Sequence, residues 1–305
     1  MNTEVTVLIP TFNRALALER ALESLCNQTM KNFEVIVSDN CSTDNTEAIL
    51  GKYRNQLRLT ILRSDENNGP IANWKRGLTA VQTEWVKVLW SDDWLEPTAL
   101  KDMVDFVKQN NVAAVLCGSF GHLPEGTELW VSEGFNSLGW NEIFPKLIRG
   151  ELSASASTAL IHTSSAKEAL NTMILDHLAY QTAIGPDFQL LYWEIAAGGK
   201  VGYIPEPLVN LFASGDSISV VLGKHLRPLY AHTMLQVAKH FGLVVEKNDE
   251  KILNHWIKEG VVLGRVPNLK DTPGKFSFRI ALSNWPLRGA KLIKRKLKGC
   301  FESKR

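Results

Sequence analysis

Two adjacent carboxylates, Asp92 and Asp93, come one serine after the apolar, β-prone run 85–90. In open α/β sheets, ligands bind in the crevice beyond the carboxyl ends of the strands. Two carboxylates at such a place repel each other, and a divalent cation of the magnesium type relieves that repulsion while also holding substrate phosphates. The pair therefore predicts a metal and phosphate site. A plain strand-to-helix turn with Asp93 as the helix cap is the alternative that these residues alone leave open.

Apolar segments that end in polar residues recur through the first hundred residues. Strands are expected at 5–9, 33–37 and 57–62, and in the run that ends at Asp92-Asp93. The intervening segments have helical spacing, which predicts βαβ units and a mostly parallel central sheet flanked by helices. Thr11, Asp39 and Arg63 follow the first three strands. Because parallel strands end at the same edge, we expect these residues to meet the carboxylate pair in one crevice.

Composition and motifs narrow the class of protein. The chain has 305 residues, of which 45% are hydrophobic and 22% charged, as in globular proteins. The cysteines form no CxxC pair, so free thiols are expected. No GxGxxG or Walker loop is present, which disfavours a Rossmann dehydrogenase or a P-loop ATPase. No signal peptide and no spanning apolar run is recognisable, so a cytoplasmic protein is expected.

The second half of the chain offers one further candidate carboxylate, Asp187. It opens a predicted helix that ends at Gly198-Gly199, so helix capping is an alternative to a catalytic role. The loop 214–219 has the composition of a segment that closes over a site. Residues 224–260 have a helical pattern, and the histidines within them form no convincing metal set.

The segment 288–305 is strongly basic, with eight Lys and Arg residues against one Glu, in a chain of net charge +2. Apolar residues at Leu292, Ile293, Leu297 and Phe301 make it a basic amphipathic pattern. This pattern predicts contact with an anionic membrane surface, at the inner face of the membrane for a cytoplasmic protein. A solvated helix packed on the domain is the alternative. Nucleic-acid binding is not expected, because the segment lacks interleaved aromatics and a reader fold.

Four motifs, taken in order, resemble the family 2 glycosyltransferases. They are VLIPTFNR at 7–14, VSDNCSTD at 37–44, NNG at 67–69 and SDDWL at 91–95. The resemblance runs over roughly residues 4–215 and is most specific through residue 100. It implies an inverting enzyme with the GT-A fold, a nucleotide-sugar donor that is usually a UDP- or dTDP-sugar, and Mn²⁺ or Mg²⁺ as cofactor.

The resemblance also implies roles for individual residues. Thr11 and Asp39 would contact the nucleotide, with Asp39 on the base. Asp92 would face the ribose and diphosphate, Asp93 would ligate the metal, and Asp187 would be the catalytic base. The nucleotide-sugar-binding set is Pro10, Thr11, Asn13, Arg14, Asp39, Arg63, Asn68, Gly69 and Asp92.

Two positions depart from the pattern of the family. Trp90 stands where many members have the first Asp of a DxD motif, so that the metal site depends on Asp92-Asp93. Pro186 replaces the Glu of an acidic pair, so the base role depends on Asp187, with Asp176 as the other candidate. Neither departure removes the two parts that the chemistry needs, which are a metal-binding acidic pair and a separate carboxylate that takes the proton of the acceptor hydroxyl.

The expected function is transfer of a sugar to a hydroxyl of a glycan or lipid-linked glycan, in the biosynthesis of bacterial cell-surface polysaccharide. A GT-A domain is expected at 1–220, with a nucleotide-sugar-binding half at 1–117 and an acceptor-binding half at 118–220. A helical extension with the basic tail is expected at 221–305. One alternative is a degenerate nucleotide-sugar-binding or assembly partner. Another is a sugar-phosphate nucleotidyltransferase, whose glycine-rich N-terminal loop is missing.

Overall fold

The computed structural model describes residues 3–152, 155–175, 179–180, 183–213 and 226–262. The strands are β1 Val5–Thr11, β2 Glu34–Asp39, β3 Leu59–Arg63, β4 Trp85–Val88, β5 Trp94–Leu95, β6 Ala114–Leu123, β7 Gly126–Trp130, β8 Phe135–Leu138, β9 Ala159–His162 and β10 Val201–Phe212. The helices are α1 Ala15–Cys26, α2 Thr46–Tyr53, α3 Pro70–Ala80, α4 Ala99–Asn110, α5 Trp140–Ile148, α6 Thr163–Asn171, α7 Pro186–Ala196, α8 Leu226–His240 and α9 Lys247–Val262. The expectations for Asp176, for 214–219 and for the tail 288–305 concern residues outside this description.

The strands form one sheet in the order β3-β2-β1-β4-β9-β6-β10-β5, with β7 paired to β6 and β8 to β10. The first four strands are parallel to one another, as the sequence predicts. Strand β9 lies antiparallel between β4 and β6, and β6 and β10 are again parallel. The sheet is therefore parallel where the first four strands lie and mixed beyond them.

Side chains alternate between the two faces of the sheet, because successive residues of a strand point to opposite sides. On β1, Leu8 packs in one core with α3 and with α5 to α9. Val7 and Ile9 pack in the other core, with α1, α2 and α4. Helices on both faces of a largely parallel sheet form the three-layer α/β arrangement that the sequence predicts.

The predicted bounds of the first three strands differ by one or two residues from those in the structure, where β1 and β2 each end two residues later, at Thr11 and Asp39. Strand β3 begins at Leu59 rather than at residue 57, and β4 ends at Val88 rather than at the carboxylate pair. Beyond β4 the chain continues beside β1 through one more hydrogen bond, from Leu89 N to Leu8 O at 2.9 Å, and then turns. The pair therefore lies in a turn between β4 and the two-residue strand β5.

The region 224–260, which the sequence predicts to be helical, contains two separate helices, α8 and α9. Gly242, with φ of 64°, ends the first of them. Its N–H bonds the carbonyl of Lys239 at 3.2 Å, and Leu243 N–H bonds that of Ala238 at 2.8 Å, which is the Schellman arrangement. The Phe-Gly sequence at 241–242 is a readable signal for this end.

Candidate active site

Three of the predicted residues lie side by side across the sheet edge. Thr11 pairs in register with Asp39 on β2, and Asp39 pairs with Arg63 on β3. Each is the last residue of its strand, and Pro10, one residue before Thr11, is buried. Thr11 is 3% exposed, and its hydroxyl has no hydrogen-bond partner among the described residues. A buried hydroxyl of this kind at a strand end is suited to a ligand.

The carboxylate of Asp39 is held by protein groups on both oxygens. Oδ1 accepts bonds from the N–H and the hydroxyl of Ser42 at 3.0 and 2.5 Å, and Oδ2 pairs with Arg63 at 2.9 Å. Arg63 also donates to the Ser42 carbonyl at 2.7 Å. Asp39 is 1% exposed, whereas the Arg63 side chain is 44% exposed. Arg63 is therefore the more accessible partner of this ion pair.

The loop after β1 is fixed by bonds to the loop after β2. Asn13 has a positive φ of 53°, donates its N–H to the Ser42 hydroxyl at 2.9 Å and accepts from Thr43 N–H at 2.8 Å. Arg14 precedes α1 as its N-cap residue, and its carbonyl accepts from Leu18 N–H at 2.8 Å. The two predicted residues, Asn13 and Arg14, thus lie in one structured loop above the sheet edge.

A third loop joins the same edge through Asn40. Its side chain accepts from Asn68 N–H at 3.2 Å, and donates to the side chain of Asn67 at 2.6 Å and to the Gly69 carbonyl at 3.3 Å. Gly69 has φ of 83°, a conformation that favours glycine, and it precedes α3. The structure therefore brings Asn68 and Gly69 to the same rim as Asp39.

The carboxylate pair lies in the turn after β4, which closes through a bond from Asp93 N to Trp90 O at 3.0 Å. Asp92 is half-buried, whereas Asp93 is 4% exposed. The Asp93 carboxylate accepts from Phe212 N–H at 3.0 Å, so the end of β10 holds it, and it also hydrogen-bonds the Ser157 hydroxyl. Burial, followed by the negative charge of Asp92, raises the pKa of Asp93 to about 7.

The donor chemistry of this pair fits a divalent cation. Mg²⁺-type ions take one or two carboxylates and complete their shell with water and substrate phosphates. Burial and the neighbouring charge of Asp92 both raise the pKa of Asp93, and a bound cation would favour the ionised form of both carboxylates. No cluster of three or more His, Cys, Asp or Glu side chains converges within the described ranges. Asp92 and Asp93 are therefore the protein ligands that the turn can offer.

Two cations that the sequence interpretation missed support this turn. Lys87, on β4, is fully buried and donates its ammonium proton to the Ser157 carbonyl. Burial lowers the pKa of Lys87 to about 8. Arg20, on α1, donates to the Asp92 carbonyl at 2.9 Å, and its guanidinium carbon lies 3.9 Å from the Trp94 ring centroid. The sequence contained a signal for Lys87, because it is a single charged residue within an apolar strand. The spacing of Arg20 gave no signal that it contacts this turn.

Asp187 lies in the first turn of α7 and is half-buried. Its Oδ1 accepts from Gly185 N–H at 2.9 Å, and its Oδ2 accepts from the Tyr230 hydroxyl at 2.7 Å. Burial raises its pKa, which the bonds from Tyr230 and Gly185 partly offset. The N-cap residue of α7 is Gly185, with Asp187 two residues later, so capping does not account for the second carboxylate oxygen.

The segment Ser155–Thr158 connects the carboxylate turn with the surroundings of Asp187. Ser157 accepts from Trp90 N–H at 3.0 Å on one side. Ser155 and Ala156 line a cavity that Asp187 also lines. The structure thus brings the nucleotide-edge residues and the acidic pair to one edge of the sheet, and it joins them to Asp187 through this short segment.

The sequence profile described as "Glycosyl transferase family 2" matches residues 6–169, which is more than half of the chain. The chain belongs to this family. The match begins within β1 and extends to α6, so it contains the acidic pair and every predicted nucleotide-edge residue. Asp187 and Tyr230 lie outside it.

The curated relatives of this family 2 member are matched over part of their length. The poly(ribitol-phosphate) beta-N-acetylglucosaminyltransferase TarP of Staphylococcus aureus is 35% identical over 122 residues, which are 39% of this chain and 37% of TarP. A GalNAc(5)-diNAcBac-PP-undecaprenol beta-1,3-glucosyltransferase of Campylobacter jejuni is 36% identical over 104 residues, or 33% of each chain. These matches span about a third of the relatives' length.

Solved structures share the fold of this family 2 member. Residues 1–349 of S. aureus TarS, crystallised with UDP-GlcNAc, superimpose with a TM-score of 0.64 at 19% identity, covering 92% of this chain and 79% of TarS 1–349. The mannosyltransferase PcManGT of Pyrobaculum calidifontis, in complex with GDP-Man and Mn²⁺, gives 0.52 at 18% identity, covering 99% and 81%. The GT-A fold expected from the sequence is confirmed.

Proposed function

We propose that this protein is an inverting glycosyltransferase that moves a sugar from a UDP- or dTDP-sugar to a hydroxyl of a glycan or lipid-linked glycan. The observation that carries the proposal is the alignment of Thr11, Asp39 and Arg63 at the sheet edge that also carries Asp92 and Asp93, in a member of family 2. Relatives named for poly(ribitol-phosphate) and for an undecaprenol-linked glycan support an acceptor in bacterial surface polysaccharide.

The donor nucleotide would lie across the ends of β1 to β3. Arg63, nearly half exposed beside the buried Asp39, is placed to contact the base or ribose directly. The unpartnered hydroxyl of Thr11 provides a buried hydrogen-bonding group next to it. Asn13, Arg14, Asn68 and Gly69 would form the rim of this nucleotide site.

The acidic pair would receive the diphosphate. Asp92 and Asp93 would hold a Mn²⁺ or Mg²⁺ ion, which when bound neutralises the charge that develops on the leaving diphosphate. Phe212 N–H and the Ser157 hydroxyl orient the Asp93 carboxylate, and Arg20 fixes the backbone at Asp92. These contacts position the pair before the substrate arrives, so that little reorganisation is needed.

Asp187 would act as the general base. It would take the proton of the acceptor hydroxyl while that oxygen bonds to the anomeric carbon. The bond from this carbon to the diphosphate oxygen breaks in the same displacement, and its electron pair leaves with the nucleoside diphosphate. A raised pKa suits this role, since a base works best with a pKa near the working pH.

The proposal is tested by nucleoside diphosphate release from UDP-glucose, UDP-N-acetylglucosamine and dTDP-glucose in the presence of Mn²⁺. Wild type is expected to turn over at least one donor, and Asp93→Ala and Asp187→Asn are each expected to lower the rate about 100-fold or more. Asp105→Asn, an isosteric change at a surface ion pair on α4, is the control.

Wild-type rates in Asp187→Asn would remove the base role from this residue. Donor binding without turnover by the wild type would favour the alternative of a degenerate nucleotide-sugar-binding partner. The departures from the family pattern at Trp90 and Pro186 are consistent with that alternative. Turnover that persists in Asp93→Ala would contradict the metal role.

A further inference from the structure

A cavity of about 420 Å³ lies next to Asp187, between four helices of one face of the sheet. Helices α5, α7, α8 and α9 all contribute side chains to it, as does the segment that carries Ser155. Its walls combine apolar side chains, among them Phe188, Met234 and Trp256, with several polar ones, among them Asp187 and Tyr230. A cavity of this size is large enough to hold a small molecule.

Two tyrosines that line the cavity, Tyr192 and Tyr230, interact with the carboxylate of Asp187. Tyr230 donates its hydroxyl to Oδ2 of Asp187 at 2.7 Å. Tyr192 also lines the cavity and is 1% exposed, and its buried hydroxyl has no hydrogen-bond partner in the part of the chain that the structure describes. A buried hydroxyl without a partner costs stability, which is recovered when a ligand hydroxyl bonds to it.

Helix α8 approaches the start of α7 unusually closely, and a glycine makes this possible. A Cβ atom at Gly185 would lie 2.2 Å from the Thr233 hydroxyl oxygen, and Gly185 has φ of 106°. Thr233 and Tyr230 are three residues apart, so they lie on the same face of α8. The contact at Gly185 therefore brings the Tyr230 hydroxyl within bonding distance of Asp187.

We propose that α8 and α9 complete a pocket that binds a sugar or polyol ring of the acceptor. In this pocket Tyr230 is a positioning residue for Asp187. This inference rests on the proposed function. Both helices lie beyond residue 169, where the match to the family profile ends. The acceptor pocket is thus partly built by a segment that the family motifs do not include.

The contacts define what Tyr230 does. With Gly185 N–H on Oδ1 and the Tyr230 hydroxyl on Oδ2, the carboxylate cannot rotate without losing a bond. Each oxygen keeps a second lone pair, one of which can accept the acceptor's proton. The ring of Trp256 offers an apolar face on which the carbon face of a sugar ring can pack, while the Tyr192 hydroxyl offers it a hydrogen bond.

The titratable groups of the cavity come from several elements. Tyr192 belongs to the helix of Asp187 and Tyr230 to α8, and burial raises the pKa of both. Arg149 follows α5 and lines the cavity, while its guanidinium lies 3.8 Å from Asp249 at the start of α9. Tyr230 donates a hydrogen bond to the carboxylate of Asp187, so removing its hydroxyl tests the positioning effect.

The positioning role is tested by ¹³C NMR titration of the Asp187 carboxyl carbon in wild type and in Tyr230→Phe. The hydroxyl of Tyr230 favours the ionised carboxylate, so the pKa of Asp187 is expected to rise in the variant. The rate of donor turnover should fall about tenfold, and its acid limb should move to higher pH. Tyr203→Phe, which removes a tyrosine hydroxyl that accepts from Ser132 N–H at 2.9 Å, is the matched control. An unchanged Asp187 titration would overturn the role of Tyr230.

The pocket is tested by saturation-transfer NMR with methyl glycosides of glucose, galactose and N-acetylglucosamine, in the presence of UDP. Saturation should be transferred from the wild type to at least one glycoside. The affinity for that glycoside should be about tenfold lower in Trp256→Ala and unchanged in Tyr230→Phe. No transfer to any of the three, or equal transfer in Trp256→Ala, would overturn the pocket assignment. Circular dichroism of Trp256→Ala checks its fold, and Met234→Trp, which places a larger ring in the cavity from α8, is the second variant and should also weaken binding.

Failure of this inference is distinguishable from failure of the proposed function. UDP binding at the sheet edge is measured separately, and it involves neither Tyr230 nor Trp256. UDP binding with no glycoside signal would overturn the pocket alone. No binding of UDP or dTDP would count against the proposed function, whereas the Asp187 titration would still decide the role of Tyr230.

Discussion

Lys87 is fully buried, which is rare for a lysine without partners. The surroundings of the acidic pair explain why it is buried here. Its ammonium group bonds the Ser157 carbonyl, and the Ser157 hydroxyl in turn connects Trp90 and Asp93. The charge lies close enough to Asp93 to lower the pKa of that carboxyl, although burial outweighs this effect. Lys87 and Ser157 therefore form an internal support for the acidic pair.

The stability of Lys87→Met should depend on pH differently from that of the wild type. The pKa of Lys87 is about 8 in the folded protein against an ordinary 10.5, so the unfolded chain binds more protons between these values. The contribution of Lys87 to the free energy of unfolding therefore rises by about 3 kcal/mol as the pH increases across that window. Below pH 8 the folded protein is destabilised by the full cost of the buried charge.

Urea unfolding of both proteins at several pH values between 7 and 10.5 measures this difference. The gap between wild type and Lys87→Met should change steadily in favour of the wild type as the pH rises. Parallel curves would show that Lys87 titrates normally in the folded protein.

Ser157→Ala should weaken Mn²⁺-dependent UDP binding about tenfold. The change removes the acceptor of Trp90 N–H and a donor to the Asp93 carboxylate, and one such bond to a charged group is worth roughly 1.5–3 kcal/mol. Isothermal titration calorimetry measures the loss, and Ser165→Ala, which removes a buried hydroxyl on α6, serves as control. Equal affinity in Ser157→Ala and wild type would separate Ser157 from the metal site.

At the scale of elements, Asp44 joins the starts of two helices. One oxygen accepts from Ala15 N–H, in the first turn of α1, at 2.9 Å. The other accepts from the N–H and the hydroxyl of Thr46, at the start of α2, at 3.1 and 2.5 Å. Its place in the VSDNCSTD motif thus has a structural reason, since it joins the loop after β2 to the starts of both helices.

Asp44→Ala should destabilise the fold by about 1–2 kcal/mol, because each helix N-terminus loses a side-chain acceptor worth about 1 kcal/mol. Urea unfolding at pH 7 measures the effect, with Glu47→Ala at an exposed position of α2 as control. Hydrogen bonds lower the pKa of Asp44 against the effect of burial, so its contribution is present above the ordinary pKa and is lost as the pH falls. A change below about 0.5 kcal/mol would show that these bonds add nothing.

The elements that were predictable from the sequence are those whose signal is local. Strands β1 to β4 each appear as an apolar run followed by polar residues, and Thr11, Asp39 and Arg63 mark three of these ends. Strand β5 has two residues and exists because β10 pairs with it, so no periodicity reveals it. The antiparallel position of β9 between β4 and β6 depends on long-range strand pairing, which the local sequence pattern does not predict.

The site shows the same division. Residues at strand ends follow from topology, so the alignment of Thr11, Asp39 and Arg63 could be expected before the structure. Tyr230 reaches Asp187 only through the close approach of α8 at Gly185, which sequence spacing does not encode. The roles of these residues in binding and catalysis remain proposals that the experiments above address.

At the scale of the molecule, the C-terminal helices belong to the main core. Leu253 and Ile257 of α9 lie in the same buried cluster as Leu8 of β1 and Phe188 of α7. We propose the division into 1–117, 118–220 and 221–305 as functional regions, with α8 and α9 structurally continuous with the region before them. Within the described part of the chain, no helix is long and apolar enough to cross a membrane.

The basic segment 288–305 is proposed, from its sequence alone, to bind an anionic membrane surface at the inner face of the membrane. The full chain should co-sediment with phosphatidylglycerol vesicles and dissociate as the salt concentration rises. A variant with Lys291, Lys294, Arg295 and Lys296 changed to Gln should lose about 100-fold of this affinity, at about 1 kcal/mol per charge or somewhat less. Binding that is equal for the variant, or equal to neutral phosphatidylcholine vesicles, would contradict the proposal.

The central claim is that the edge formed by β1 to β4 binds a nucleoside diphosphate through a cation held by Asp93. Calorimetric titration of UDP and of dTDP, with and without Mn²⁺, into wild type and Asp93→Ala tests it most directly. We expect one nucleotide to bind the wild type in a Mn²⁺-dependent way, and Asp93→Ala to lose at least about tenfold of that affinity. Binding that is indifferent to both Mn²⁺ and the substitution, or no binding of either nucleotide, would contradict the claim.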